Sequence, residues 1–289
     1  MIPLSDENPV RQVPLVTWGI IGLCILVFLW QLSLSEKAMT GLFLAYGVVP
    51  AHLFDRPASG VPMVPPVLTL ISSQFLHGGF GHLAGNMLFL YIFGDNIEAA
   101  MGRLKFLVFY LCCGVAAAVG HGALVPMSQV PMIGASGAIS GVLGAYLLLY
   151  PHARVRVLFL PLPIPIFRIF YVPAVMVLGI WFLVQFVSAA VSSPEGGGVA
   201  FGAHVAGFIA GMVLLPLFKR RGVAYWQAAA LQIFDGRTSG RRHENGADPD
   251  RSDPDYASDG NPRSDKGPWS KPVSRAKGTP RTRKRGLWG

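Results

Sequence analysis

Six apolar stretches divide the chain, each close to the length a helix needs to cross a bilayer. They run roughly over 16–34, 82–101, 106–125, 136–151, 170–192 and 198–218. A hydrocarbon core about 30 Å thick takes about 20 helical residues. Lipid offers no water to backbone polar groups, so such stretches are forced into helix. The pattern predicts an all-α membrane protein, a bundle of six transmembrane helices. It excludes a single water-soluble domain. Composition agrees, with 13% charged residues against about 25% in average soluble domains. No clear cleavage site follows the first stretch, so it reads as an anchor that stays attached.

The formal charge is +9, but sixteen of the 24 Lys and Arg residues lie from Lys219 onward. The basic character belongs to the tail, and no nucleic-acid partner is expected of the body. Within the body, basic residues mark alternate connections. Arg11 precedes the first stretch. Arg103 and Lys105 follow the second, Arg154, Arg156 and Arg168 follow the fourth, and Lys219 to Arg221 follow the sixth. The other connections hold only Lys37 and Arg56. By the positive-inside rule both termini are predicted to be cytoplasmic.

Three regions follow. Residues 1–15 form a cytoplasmic N-terminal segment, 16–221 the membrane domain, and 222–289 a basic cytoplasmic tail. Val223–Phe234 is expected to form an interfacial helix, and the chain from Asp235 on is expected to be disordered, being polar and rich in Gly and Pro. Arg281 to Arg285 is a candidate contact for anionic lipid. Segment 35–81 is a long outer loop, apolar enough to fold on the bundle or lie at the membrane surface. Cys24, Cys112 and Cys113 sit in apolar runs with no metal-ligand spacing, so they read as buried packing residues. No metal and no cofactor is expected.

Polar groups inside spans are costly and mark functional candidates. Ser136 opens the fourth stretch in Gly134-Ala-Ser136-Gly137, and Ser140 follows one turn later. A helix N-terminus leaves backbone N–H groups free to meet an oxyanion. The same serine also suits an N-cap or a small-residue packing face. His204 lies in the sixth stretch beside a stripe of Ala203, Gly207 and Gly211, which lets another helix approach closely. His82 and Asn86 share a helix face at the start of the second stretch, after His77. In the derived topology Asn86, Ser136 and His204 all fall at one outer level. Separate packing roles do not require that agreement. None of the body's carboxylates lies beside these groups, so a Ser-His dyad fits better than a triad.

These residues together resemble the rhomboid family of intramembrane serine proteases, of bacterial type. The likeness covers roughly residues 12–220 and rests on His77-x4-His82-x3-Asn86, Glu98-x3-Gly102, Gly134-x-Ser136-Gly137 and Ala203-His204-x2-Gly207-x3-Gly211. It implies a serine endopeptidase in the cell (inner) membrane, active near the outer face on transmembrane segments of other proteins. Ser136 would be the nucleophile and His204 the general base. His82 and Asn86, with the Ser136 N–H, would form the oxyanion hole. His77, Gly134, Gly137, Ser140 and Gly207 would be structural. Trp181, Phe182 and Phe186 are candidate entry residues, with Trp181 expected to face lipid. Two positions depart from the family pattern. Leu68-Thr69 stands where many members carry Trp-Arg, and Ser140 stands where some place an aromatic residue against the histidine. A proteolytically dead member that binds transmembrane clients, and a small transporter, are the rival readings.

Overall fold

The computed structural model describes residues 2–10, 12–54, 64–159, 167–191 and 199–227. A strand, β1 (Ile2–Asp6), precedes the first apolar helix, α1 (Leu15–Gln31). Three short helices follow: α2 (Glu36–Tyr46), α3 (Pro50–Leu53) and α4 (Pro66–Ser72). Then come α5 (Phe80–Met101), α6 (Arg103–Leu124) and α7 (Ser136–Leu149). Strands β2 (Arg154–Phe159) and β3 (Arg168–Pro173) lead into α8 (Ala174–Val191), and α9 (Phe201–Phe218) completes the bundle. Among the described residues α6, α8 and α9 are long and apolar enough to cross a membrane, and α1 and α7 are shorter apolar helices. The architecture is a mostly helical membrane bundle.

Glu98 shows how α5 accommodates a carboxylate. One of its oxygens accepts from the Val16 N–H at 3.1 Å. The other accepts from the Thr17 N–H and the Thr17 hydroxyl, each at 2.8 Å. These are donors of the first turn of α1, which have no partner within their own helix. The carboxylate thus caps α1 from a neighbouring helix. Glu98→Ala is expected to destabilise the protein by about 1–3 kcal/mol, since it leaves buried donors unpaired. Thermal unfolding in detergent checks this, and Glu98→Gln, which keeps one acceptor, should lose less. Four residues on, Gly102 adopts φ +87°, turning the chain directly from α5 into α6. A side chain there would be strained and would meet the Arg220 guanidinium at 2.9 Å.

The expectation of an all-α fold needs one correction. β1, β2 and β3 form an antiparallel sheet in that order. In β2 the buried Val155 and Val157 alternate with Arg154 and Arg156. That period of two sits in a connection between apolar stretches and is too short to stand out. The helix expected from 170 starts at Ala174 because Arg168–Pro173 is strand. The sheet also carries a titratable link. The Asp6 carboxylate accepts from the Tyr146 hydroxyl at 2.6 Å and from Asn96 Nδ2 at 3.0 Å. Burial nevertheless pushes Asp6 up to about 7, with the Asp95 charge adding to the rise. The folded chain therefore keeps a proton that the unfolded chain releases near its ordinary value of 3.8. This group's contribution to stability is full below that value and is lost as pH rises through about 7. An unfolding series from acid to neutral pH should show the decline, and Asp6→Asn should flatten it.

The described parts of the outer loop fold on the bundle, with α3 and α4 packing against α6. Val48 pairs with Met132, the Ser72 hydroxyl donates to the Tyr46 carbonyl at 2.8 Å, and Gln74 Nε2 donates to the Leu70 carbonyl at 2.8 Å. These contacts tie down the loop without the Trp-Arg pair. Leu68 is exposed there, and Thr69 is buried with its hydroxyl on the Pro66 carbonyl. Cys24 and Cys113 are buried as expected, but Cys112 is exposed, because it lies about 100° round α6 from Cys113, on the face turned away from the bundle. Residues 223–227 are not helical. Their chain turns back so that the Trp226 and Gln227 N–H groups donate to the Leu148 and Leu149 carbonyls. The rest of the expected interfacial helix, the tail's expected disorder and its lipid contact lie outside the described residues, as do Arg11, Arg56 and Glu195.

Candidate active site

α7 is the innermost helix, buried from Gly137 to Tyr146. Its glycines set how close α9 comes. A Cβ on Gly207 would overlap the Gly137 carbonyl, and one on Gly211 would overlap the Gly141 backbone. One on Gly144 would overlap the Phe208 carbonyl. Backbone thus meets backbone along the crossing, as small residues allow. At the N-terminal end of both helices this contact brings His204 Nε2 to 2.8 Å from Ser136 Oγ. Two groups 68 residues apart in sequence meet at hydrogen-bonding distance.

The turn before α7 is shaped by a glycine. Gly134 adopts φ +120° and its N–H donates to the Ser73 carbonyl at 2.8 Å. A Cβ on Gly134 would stand 2.7 Å from His82 Nε2 and 3.8 Å from Asn86 Nδ2. The glycine therefore lets both side chains close in on the turn just before Ser136. Asn86 is buried, and its Nδ2 has no hydrogen-bond partner among the described residues. The Gly78 N–H reaches His82 Nδ1 at 3.4 Å, which leaves Nε2 as the N–H bearing nitrogen. Two donors thus stand at the turn that leads into Ser136.

His77 supports this corner. Its backbone N–H and carbonyl are both held by the Gln31 side chain of α1, at 3.1 and 2.9 Å. Its ring lies edge-on to His82, with centroids 5.2 Å apart. Burial, then the neighbouring His82, push the His77 imidazole down to about 4, so it is neutral at pH 7. Ser140 is buried, and its hydroxyl donates to the Ser136 carbonyl at 2.6 Å. It therefore bonds its own helix rather than His204.

Two residues of α8 complete the surroundings of the histidine. Trp181 was expected to face lipid, yet it is half-buried. Its ring lies 5.9 Å from that of His204 and 6.3 Å from that of Phe208. Gln185 is buried, and its Oε1 lies 2.6 Å from His204 Nδ1. Sequence reasoning passed over Gln185. A polar residue in the middle of an apolar stretch was the available signal. Of the candidate entry residues, Phe182 packs on Phe208 with centroids 4.6 Å apart, whereas Phe186 is exposed. Among the described residues no cluster of ligating side chains suits a metal ion.

A protein-family model, the rhomboid domain, matches residues 65–221, more than half of the chain. The chain belongs to the rhomboid family. This rhomboid is 33% identical over 147 residues to the presenilin-associated rhomboid-like protein, mitochondrial, of Homo sapiens, covering 50% of this chain and 35% of that protein. It is 35% identical over 100 residues to rhomboid protein 1, mitochondrial, of Saccharomyces cerevisiae, covering 33% and 29%. Likeness to the putative rhomboid protease YdcA of Bacillus subtilis is 37% over 78 residues, covering 27% and 39%. The matched stretches span well under half the length of these curated relatives. Membership makes the chain a multi-pass membrane protein.

Proposed function

We propose that this rhomboid is an intramembrane serine endopeptidase that cuts peptide bonds in or near transmembrane segments of other membrane proteins. The observation that carries the reading is the 2.8 Å contact between Ser136 Oγ and His204 Nε2, next to the Gly134 turn that His82 and Asn86 approach. Ser136 Oγ attacks the scissile carbonyl while His204 Nε2 takes its proton. The carbonyl oxygen becomes negative and accepts from His82 Nε2–H, the Asn86 amide N–H and the Ser136 N–H. The new His204 N–H then protonates the leaving amine. Water attacks the acyl-enzyme through the same base and frees the second product. The substrate must unwind locally, because helical carbonyls are already bonded.

The protein is further proposed to cross the membrane six times, through α1 and α5 to α9, with both termini on the cytoplasmic side. β1 pairs with β2, and the Arg220 N–H bonds the Ala100 carbonyl, so these segments share one end of the bundle. That end carries Arg103, Lys105, Arg154, Arg156, Lys219 and Arg220, which favours the cytoplasm. The candidate site is then near the outer face, where water is at hand. The host is proposed to be the cell (inner) membrane; the mitochondrial relatives make a mitochondrial membrane the other candidate, which imaging of a tagged chain separates.

The testing experiment reconstitutes the full chain with a transmembrane reporter and follows cleavage for wild type, Ser136→Ala and Ser140→Ala. Loss in Ser136→Ala alone is the expected result, and undiminished cleavage by that variant refutes the assignment. Asn86→Ala and His82→Ala each remove one oxyanion donor and should lower kcat by about 10²–10³-fold. Single-turnover rates on the same reporter measure this. A proton carrier running through His204 lacks a carboxylate at this level among the described residues, since Asp6, Asp95 and Glu98 are engaged at the far end of α5.

A further inference from the structure

We infer that Gln185 is a positioning residue: its side-chain oxygen holds His204 in the orientation and tautomer that accept the Ser136 proton, so α8 supplies the third member of the site. This rests on the protease reading above.

An imidazole has two ring nitrogens, and in the neutral ring one donates while the other accepts. To act as base toward Ser136, His204 must leave Nε2 unprotonated and carry its hydrogen on Nδ1. Gln185 Oε1 lies 2.6 Å from Nδ1 and is an acceptor only. The pairing therefore puts the hydrogen on Nδ1 and points the Nε2 lone pair at Ser136 Oγ, 2.8 Å away. In a serine triad a buried carboxylate does this. Here the neutral amide keeps the orienting acceptor and avoids placing a charge inside the bundle, where desolvation is costly.

The surroundings of Gln185 favour this role over simple packing. The other fully buried residues of α8, Ala174 and Leu178, are apolar. Ile180, Leu183, Val184 and Val187 are exposed around it. Placing an amide on the inner face of such a helix is unfavourable unless it finds a partner, and His204 is that partner. Trp181 lies one turn earlier on the same face and packs on the histidine ring. One helix thus steadies His204 by ring contact and by hydrogen bond. Ser140 supplies neither, since its hydroxyl is turned to the Ser136 carbonyl.

The test uses the full chain in liposomes with a transmembrane reporter, together with a fluorophosphonate that labels activated serines. Gln185→Met keeps the shape and removes the acceptor. Gln185→Asn keeps the amide but is one methylene too short to reach Nδ1. Gln185→Glu retains an acceptor at the same reach. General-base catalysis contributes about 10²–10⁴-fold, so Met and Asn are expected to lose on the order of 10- to 100-fold in kcat and in labelling rate, with KM unchanged. Glu should stay more active than both. Met or Asn at the wild-type kcat, or Met as active as Glu, overturns the inference, because packing alone would favour the apolar residue. A loss confined to KM overturns it as well. Wild type that shows no Ser136-dependent labelling or cleavage would instead bring down the protease reading, and this inference with it.

Discussion

Ser136→Ala is expected to lower reporter cleavage by about 10⁴-fold or more, and His204→Ala by a similar factor. The two side chains form one device. Without the hydroxyl there is nothing for the base to activate, and without the base the hydroxyl stays a weak nucleophile. The double variant should therefore be no worse than either single one. That non-additivity tests the 2.8 Å pairing more sharply than either loss. Ser140→Ala should remain near wild type, because its hydroxyl serves only the Ser136 carbonyl one turn back. The measurement is initial cleavage rate at saturating reporter. Additive losses would mean that the serine and histidine act apart.

Gly211→Ala is expected to slow reporter cleavage from a distance. Gly211 lies two turns beyond His204, and its added methyl would run into the Gly141 backbone. Flexible side chains can swing aside, but here the obstacle is main chain at the centre of the bundle. Overpacking of this kind costs about 1–3 kcal/mol, and sometimes more. Relief comes by moving α9 away from α7, which also draws His204 from Ser136. A displacement of about 1 Å at a reacting pair costs on the order of 100-fold in rate. A lower unfolding temperature and a 100-fold slower cleavage are thus expected from one methyl group. Gly22→Ala, with nothing within 4 Å of the new methyl, is the control and should change neither.

These glycines and the groups they align were largely readable beforehand. Ser136, His204, His82 and Asn86 are polar residues in apolar stretches, and their shared depth follows from counting along each helix. Rotation about the helix axis is harder to read. In water the buried face of a helix is the apolar one, but in lipid both faces are apolar and the pattern is silent. α8 shows the consequence. Trp181 looked lipid-facing and Gln185 drew no attention, yet both turn inward on His204. The sheet escaped notice for another reason. β1 and β2 have five and six residues, and each is given meaning only by a partner far away in sequence.

α7 is a rod pinned at both ends. Ahead of Ser136, Gly134 is bonded to Ser73; behind it, Trp226 and Gln227 hold the carbonyls of Leu148 and Leu149. The rod can neither slide along its axis nor fray from its last turn without breaking one of these ties. The position of Ser136 along the bundle is thereby set partly by residues that follow the last helix. Cutting the chain after residue 227 would keep that lower pin, and cutting it after residue 221 would remove it. Where such a protein is shortened decides whether Ser136 keeps its place in the bundle.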